Sequence, residues 1–162
     1  MASPLSNVAL QRGMRGFTLV ELIVTFMVLA IIATAAAPSF SALIASQRVR
    51  GAAGDLTSSV TLLRSEAVKR NATVTMTTAG TASNWADGWV ISAGTERVRA
   101  YSAYNGIQIT SASGNTLSMG NDGRPTGGSV AFEVAPPTGS SSTLCVQVSG
   151  TGRVNTVSGA CT

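Results

Sequence analysis

Hydrophobic and polar positions divide the chain into three stretches of different period. Residues 17–37 (FTLVELIVTFMVLAIIATAAA) hold one ionisable side chain, Glu21. Counting on to Phe40 gives about the ~20 apolar residues that a helix needs to cross a bilayer. Further on, Val49, Ala53, Leu56, Val60, Leu63 and Ala67 recur at intervals of 4, 3, 4, 3 and 4, which is one face of an α-helix. Glu66 and Arg70 stand at i, i+4 in the favourable order. Gly51 and Gly54 each weaken a helix by about 1 kcal/mol relative to Ala, and Pro38 removes one backbone bond and kinks or loosens it. The pattern predicts one long, locally bent helix from about Phe17 to about Arg70, its second half packed on a globular domain.

From Asn71 the period shortens. β-rich runs at 73–77, 89–92, 97–101, 107–110, 116–119, 130–134, 144–148 and 153–157 alternate with turn clusters such as Asp87-Gly88, Asn105-Gly106 and Asn121-Asp122-Gly123. That alternation predicts short antiparallel strands, with eight expected to overcount them. Residues 136–143 are a Pro/Ser-rich loop. The fold class is therefore α+β, a long N-terminal helix with a small antiparallel β-sheet domain. A regular hairpin around residues 149–152 would set Thr156 opposite Cys145, so that Cys161 must curl back, which Gly159 permits.

Composition sharpens this picture. Charged residues make up 11% of 162, against roughly 25% in an ordinary soluble domain. With no His and two Cys, His-based triads, imidazole switches and Cys₄ or Cys₂His₂ zinc sites are excluded. No Walker A motif, nucleophile elbow or metal-binding cluster occurs, and Asp55, Asp87, Glu96, Asp122 and Glu133 are scattered along the chain. Asp87 and Asp122 each precede a Gly in a turn, where backbone hydrogen bonding explains them. No catalytic residue, cofactor or metal is expected. Arg12 and Arg15 stand just before the apolar run, which favours a cytoplasmic N-terminus with the remainder exported. A secretory signal cut near Ala35-Ala36-Ala37 is the plain alternative. The run is longer than a 7–15-residue signal core, and Pro38 would follow the cut.

The heptapeptide Arg15-Gly16-Phe17-Thr18-Leu19-Val20-Glu21 closely resembles the class III leader junction of type IV pilins and type II secretion pseudopilins. The resemblance implies that prepilin peptidase removes residues 1–16 by cutting after Gly16 and then N-methylates Phe17. It makes Glu21 the fifth residue of the mature chain, an assembly residue able to pair with the protonated amine of a neighbouring subunit. Pro38 stands where proline recurs among pilins. Residues 17–40 become the transmembrane and assembly half of the helix, 41–70 its second half, and 71–162 an exported domain. The implied location is the bacterial inner membrane, single-pass, with a periplasmic C-terminal domain, and the pilus or pseudopilus after assembly.

Within that class, the block LLRSEAVKRN at 62–71, then Val74, then Trp85, Gly88-Trp89-Val90 and Gly152-Arg153-Val154 look like the GspH/FimT domain. That resemblance implies a minor pilin or pseudopilin that primes assembly or caps the tip. Its expected partners are other pilin subunits, prepilin peptidase and inner-membrane lipid. Trp85 and Trp89 read as packing residues. In an exported domain Cys145 and Cys161 can pair, closing a loop of about 15 residues worth roughly 3 kcal/mol in the chain-entropy model; the alternative is two free, buried thiols. Some FimT-type pilins bind DNA, which makes Arg153 and Arg124 candidate DNA contacts. However, setting aside Arg12 and Arg15 with the leader lowers the net charge from +4 to +2, thin for a surface that neutralises phosphates. DNA is therefore an unfavoured alternative, and Arg97 and Arg99 read as a solvated strand face.

Overall fold

The computed structural model describes residues 16–80, 84–137 and 142–162. The leader candidates Arg12 and Arg15 and the centre of the 136–143 loop lie outside them. Two compact units divide at Ser39/Phe40.

The first unit holds the beginning of helix α1, Leu19–Arg70, a 52-residue element against the expected start at Phe17. Phe17 lies ahead of the first turn because Thr18 caps it. Thr18 Oγ1 accepts from the Glu21 N–H at 3.2 Å, and the Thr18 carbonyl accepts from the Leu22 N–H at 3.1 Å. This is the Thr-x-x-Glu spacing of a capping box, which satisfies a backbone donor that the first turn otherwise leaves open. α1 is uninterrupted across position 38.

Among its described residues the second unit contains the remainder of α1 and eight strands, all antiparallel to their neighbours. They are β1 (Val74–Thr78), β2 (Trp89–Ala93), β3 (Glu96–Tyr101), β4 (Gln108–Ser111), β5 (Thr116–Met119), β6 (Val130–Ala135), β7 (Leu144–Val148) and β8 (Val154–Ser158). A 3₁₀ turn, Trp85–Asp87, precedes β2. Every one of the eight sequence candidates is a strand, so the expected overcount is wrong. They also form two sheets rather than one: β3-β2-β1-β5 and β4-β6-β7-β8. The split arises because β1 pairs with both β2 and β5, so the chain leaves the first sheet for β4 and returns.

All six residues of the helical stripe are buried, together with Ala52. They share one core with Val74, Met76 and Ile91 of the first sheet and Ile109, Phe132 and Val146 of the second. Burying each of the larger of these side chains is worth about 1.5–3 kcal/mol. Gly51 and Gly54 lie on the exposed side of α1, away from that stripe. The helix stops where expected. Asn71 takes a left-handed φ of 50°, and the bonds Ala72 N–H to Ala67 O and Asn71 N–H to Val68 O close a Schellman cap.

Candidate functional site

The apolar run is an exposed surface along its whole described length. Phe17 is 76% exposed and Phe26 61%, and none of Leu19–Ala36, with a mean hydropathy of 2.5, is buried within the chain. A helix of this length and composition in the core of a soluble protein would be mostly covered, whereas this one is long and apolar enough to cross a membrane. Gly16 and Phe17 are exposed just ahead of the Thr18 cap, and Glu21 is exposed in the first turn. A carboxylate there complements the positive end of the helix dipole. Thr18 is the residue that sequence reasoning passed over. Its signal in the sequence is the Thr-x-x-Glu spacing of residues 18–21.

In the second unit, Trp85 and Trp89 are fully buried, which makes them packing residues. Trp85 donates its indole N–H to the Gly114 carbonyl at 2.9 Å and meets Phe132 edge-on. Trp89 lies parallel to both Tyr101 and Tyr104 and donates to Ser59 Oγ at 2.9 Å. Ser59 passes its own hydroxyl hydrogen to the Asp55 carbonyl at 2.6 Å. Tyr104 closes the group by donating to Asp55 Oδ2 at 2.6 Å. Burial, and then this bond to a carboxylate, push the Tyr104 hydroxyl well above the usual phenol range.

At the end of α1, Arg70 bridges Glu66 at 2.7 Å and Glu96 of β3 at 2.6 and 3.0 Å. The Arg70 hydrogen bonds hold both carboxyl groups below the usual carboxylate range. Sequence spacing supplied the Glu66 half of this clasp; Glu96 arrives only through the β2–β3 hairpin.

Cys145 and Cys161 are disulfide-bonded, with Cα atoms 5.2 Å apart. Gly159, at φ 105°, turns the chain back after its N–H bonds the Thr143 carbonyl, and the Cys161 N–H bonds Glu133 Oε2. The expected register is off by one: Val157, not Thr156, stands opposite Cys145. The loop is one residue longer than expected, because the Arg153 carbonyl accepts from the Ser149 N–H and the Arg153 N–H bonds Ser149 Oγ.

Arg124 and Arg153 are both exposed and lie on different loops. Arg124 Nε is 3.8 Å from Asp122 Oδ2 across an exposed pair. The loops meet backbone to backbone at Gly123 and Gly152, both at positive φ. The Arg64 side chain of α1 lies against both glycines. Arg97 and Arg99 are exposed on β3, with Arg99 over the Tyr101 ring. Among the described residues no group of three acidic or cysteine side chains is placed to hold a metal ion.

Two family descriptions match separate parts of the chain. The family described as "Type II transport protein GspH" matches residues 52–152, and the prokaryotic N-terminal methylation motif matches residues 11–37. No curated protein sequence matches the chain. The fold resembles the type IV minor pilin FimU of Pseudomonas aeruginosa in two crystal forms. One superposes with a TM-score of 0.61 at 17% identity, covering 67% of this chain and 87% of that one. The other gives 0.60 at 17% identity, covering 67% and 91%.

Proposed function

Because the chain belongs to the GspH family of type II transport proteins, built on a type IV pilin fold, we propose that it is a minor subunit that primes a type IV pilus or type II secretion pseudopilus or caps its tip. The observation that carries this reading is a methylation motif at the head of an apolar helix that its own chain leaves uncovered. Cleavage after Gly16 by prepilin peptidase, on the cytoplasmic side of the inner membrane, frees the amine of Phe17, and methylation leaves it protonated at neutral pH. Residues 71–162 then lie in the periplasm.

The chemistry of Glu21 follows from its surroundings. A charged side chain at mid-bilayer costs about 2.5–3.5 kcal/mol on insertion scales, less near a helix end. A staggered neighbour offers Glu21 the amine of its own Phe17, so that subunits in register remove an energetic penalty that a lone subunit bears. The helix then leaves lipid for contact with other helices, with Pro38 loosening the backbone where the apolar half ends. The second unit supplies the surface that other minor subunits meet.

The test is mass spectrometry of the N-terminus of protein purified from membranes. A chain beginning at methylated Phe17 is expected; one beginning at Pro38 overturns the reading and restores a secreted protein.

DNA binding has one observation on its side. Arg64 joins Arg124 and Arg153 at the contact of their loops, although Asp122 faces Arg124. Gel shifts with the detergent-solubilised protein decide this second reading: retardation lost in Arg153→Ala supports it, and no retardation removes it.

A further inference from the structure

The two sheets present four edge strands, and three of them carry devices that discourage pairing. β3 carries Glu96, Arg97 and Arg99, and its ladder to β2 shifts register between Ile91 and Ser92. β5 is covered by the segment that follows it, through the Thr126 N–H to the Ser118 carbonyl and the Met119–Pro125 bridge. β4 is four residues long and lies against the 3₁₀ turn. Charges, register shifts, covering segments and shortness are the usual means by which an edge avoids recruiting another strand.

Among the described residues β8 carries none of these, and α1 touches it through the Thr57 and Thr156 hydroxyls, 3.3 Å apart. Its sequence VNTVS lacks charge, proline and glycine, its ladder to β7 is regular, and four of its five residues are exposed. The bonds Ser149 N–H to Arg153 O and Gly159 N–H to Thr143 O fix the alternation of that ladder. Asn155 and Val157 therefore turn their backbone groups to β7, while Val154, Thr156 and Ser158 turn theirs outward. Among the described residues no backbone hydrogen bond beyond the β7 ladder reaches β8.

The surroundings of this edge select its partner. Arg153 immediately precedes β8, and at its other end Arg50 lines a cavity of about 310 Å³ with Ser158 and Gly159. Neither arginine is ion-paired within the described chain. A second copy added antiparallel through Thr156 would bring Arg153 of one copy toward Arg50 of the other, a like-charge contact at both ends. A strand with acidic ends meets opposite charge at both.

We propose that the outer edge of β8 is a docking strand for an extended segment of another subunit, with an uncharged stretch of about five residues flanked by acidic side chains. Backbone hydrogen bonds from Val154, Thr156 and Ser158 supply affinity, and Arg50 and Arg153 set orientation and choice of partner. The inference rests on the reading of the chain as an assembling subunit and names the chemistry of its neighbour.

The full chain in detergent micelles tests it, with the synthetic peptide Glu-Thr-Val-Thr-Val-Thr-Glu and a counterpart ending in Lys at both positions. The acidic peptide is expected to bind and to slow hydrogen exchange at the amides of Val154, Thr156 and Ser158. Thr156→Pro removes an outward donor, together with the hydroxyl paired with Thr57, without breaking the β7 ladder; it should weaken binding by about tenfold, with thermal unfolding of this variant and of Thr156→Val, which loses only the hydroxyl, confirming that both are folded. Arg50→Glu with Arg153→Glu, which leaves the backbone untouched, should invert the preference toward the Lys peptide. Equal affinity for both peptides, unchanged exchange at the three amides, or self-association of the chain through β8 overturns the proposal. Because the assay needs no fibre, its failure leaves the leader-processing result standing, and the converse also holds.

Discussion

Trp89 donates its indole N–H to Ser59 Oγ at 2.9 Å with both residues fully buried, joining β2 to α1 inside the core. Ser59→Ala leaves that donor without a partner in a dry environment, which costs about 1–3 kcal/mol. Trp89→Phe in the Ser59→Ala background should lose less than the sum of the single changes. Chemical unfolding of the detergent-solubilised protein, followed by tryptophan fluorescence, measures both. Trp85 and Trp89 both lie in the second unit, so the signal reports that unit alone.

Gly152→Ala should destabilise more than Gly114→Ala. Both positions have positive φ, 76° and 79°, where a non-glycine residue costs about 1–2 kcal/mol. Around Gly114 a new Cβ meets open space, whereas at Gly152 it collides with the Gly123 carbonyl oxygen. The difference between the two unfolding free energies isolates the loop contact.

Reduction of Cys145–Cys161, or its replacement by two serines, should lower unfolding free energy by roughly 3 kcal/mol. The bonds from Gly159 and Cys161 to Thr143 and Glu133 remain. Exchange should therefore accelerate first in the residues after β8, with the β6–β7 ladder still protected.

The Arg70 clasp gives acid sensitivity. Glu66 and Glu96 have carboxyl groups held below their ordinary range by Arg70. Their contribution is present above the unfolded carboxylate pKa and is lost as pH falls through the lower folded values. Unfolding midpoints should decline across that acid window, and Arg70→Ala should flatten the decline. Because Glu96 is exposed, the effect should shrink at high salt.

Glu21→Val should leave second-unit unfolding unchanged and favour retention in lipid, while reducing incorporation into fibres. Fractionation of membranes against sheared fibres checks this, and Glu21→Asp should restore part of the loss.

Much of the architecture was visible before the structure because it depends on local period. The stripe from Val49 to Ala67 and the runs between turn clusters each report a face and a boundary without long-range information. Which sheet a strand joins is a different kind of fact. Nothing in the alternation of β4 says that it pairs with β6 rather than β5, since pairing follows from contacts across long stretches of sequence. The one-residue register error at Cys145 has a local cause, a main-chain bond at Arg153 that extends the turn. The placement of Arg64 is not legible in the sequence for the opposite reason. Its neighbours, Gly123 and Gly152, are loops brought to it only by the finished fold. At the N-terminus the junction residues were plain, whereas the cap by Thr18 needed the three-residue spacing to be taken as geometry rather than as motif.

The uncovered face of α1 gives the molecule two separate accounts of what stability means. Val49 to Ala67 are held by their own chain, and denaturant can measure how firmly. Leu19 to Ala36 bury no side chain within the chain, so an unfolding curve of the isolated subunit carries no burial free energy from them. Their free energy is a transfer quantity, set by whichever apolar surroundings they occupy. On the proposed reading, assembly is for this segment an exchange between two solvents, lipid and other helices. On that reading, a small difference in affinity between those solvents decides whether the subunit stays in the membrane or joins its neighbours.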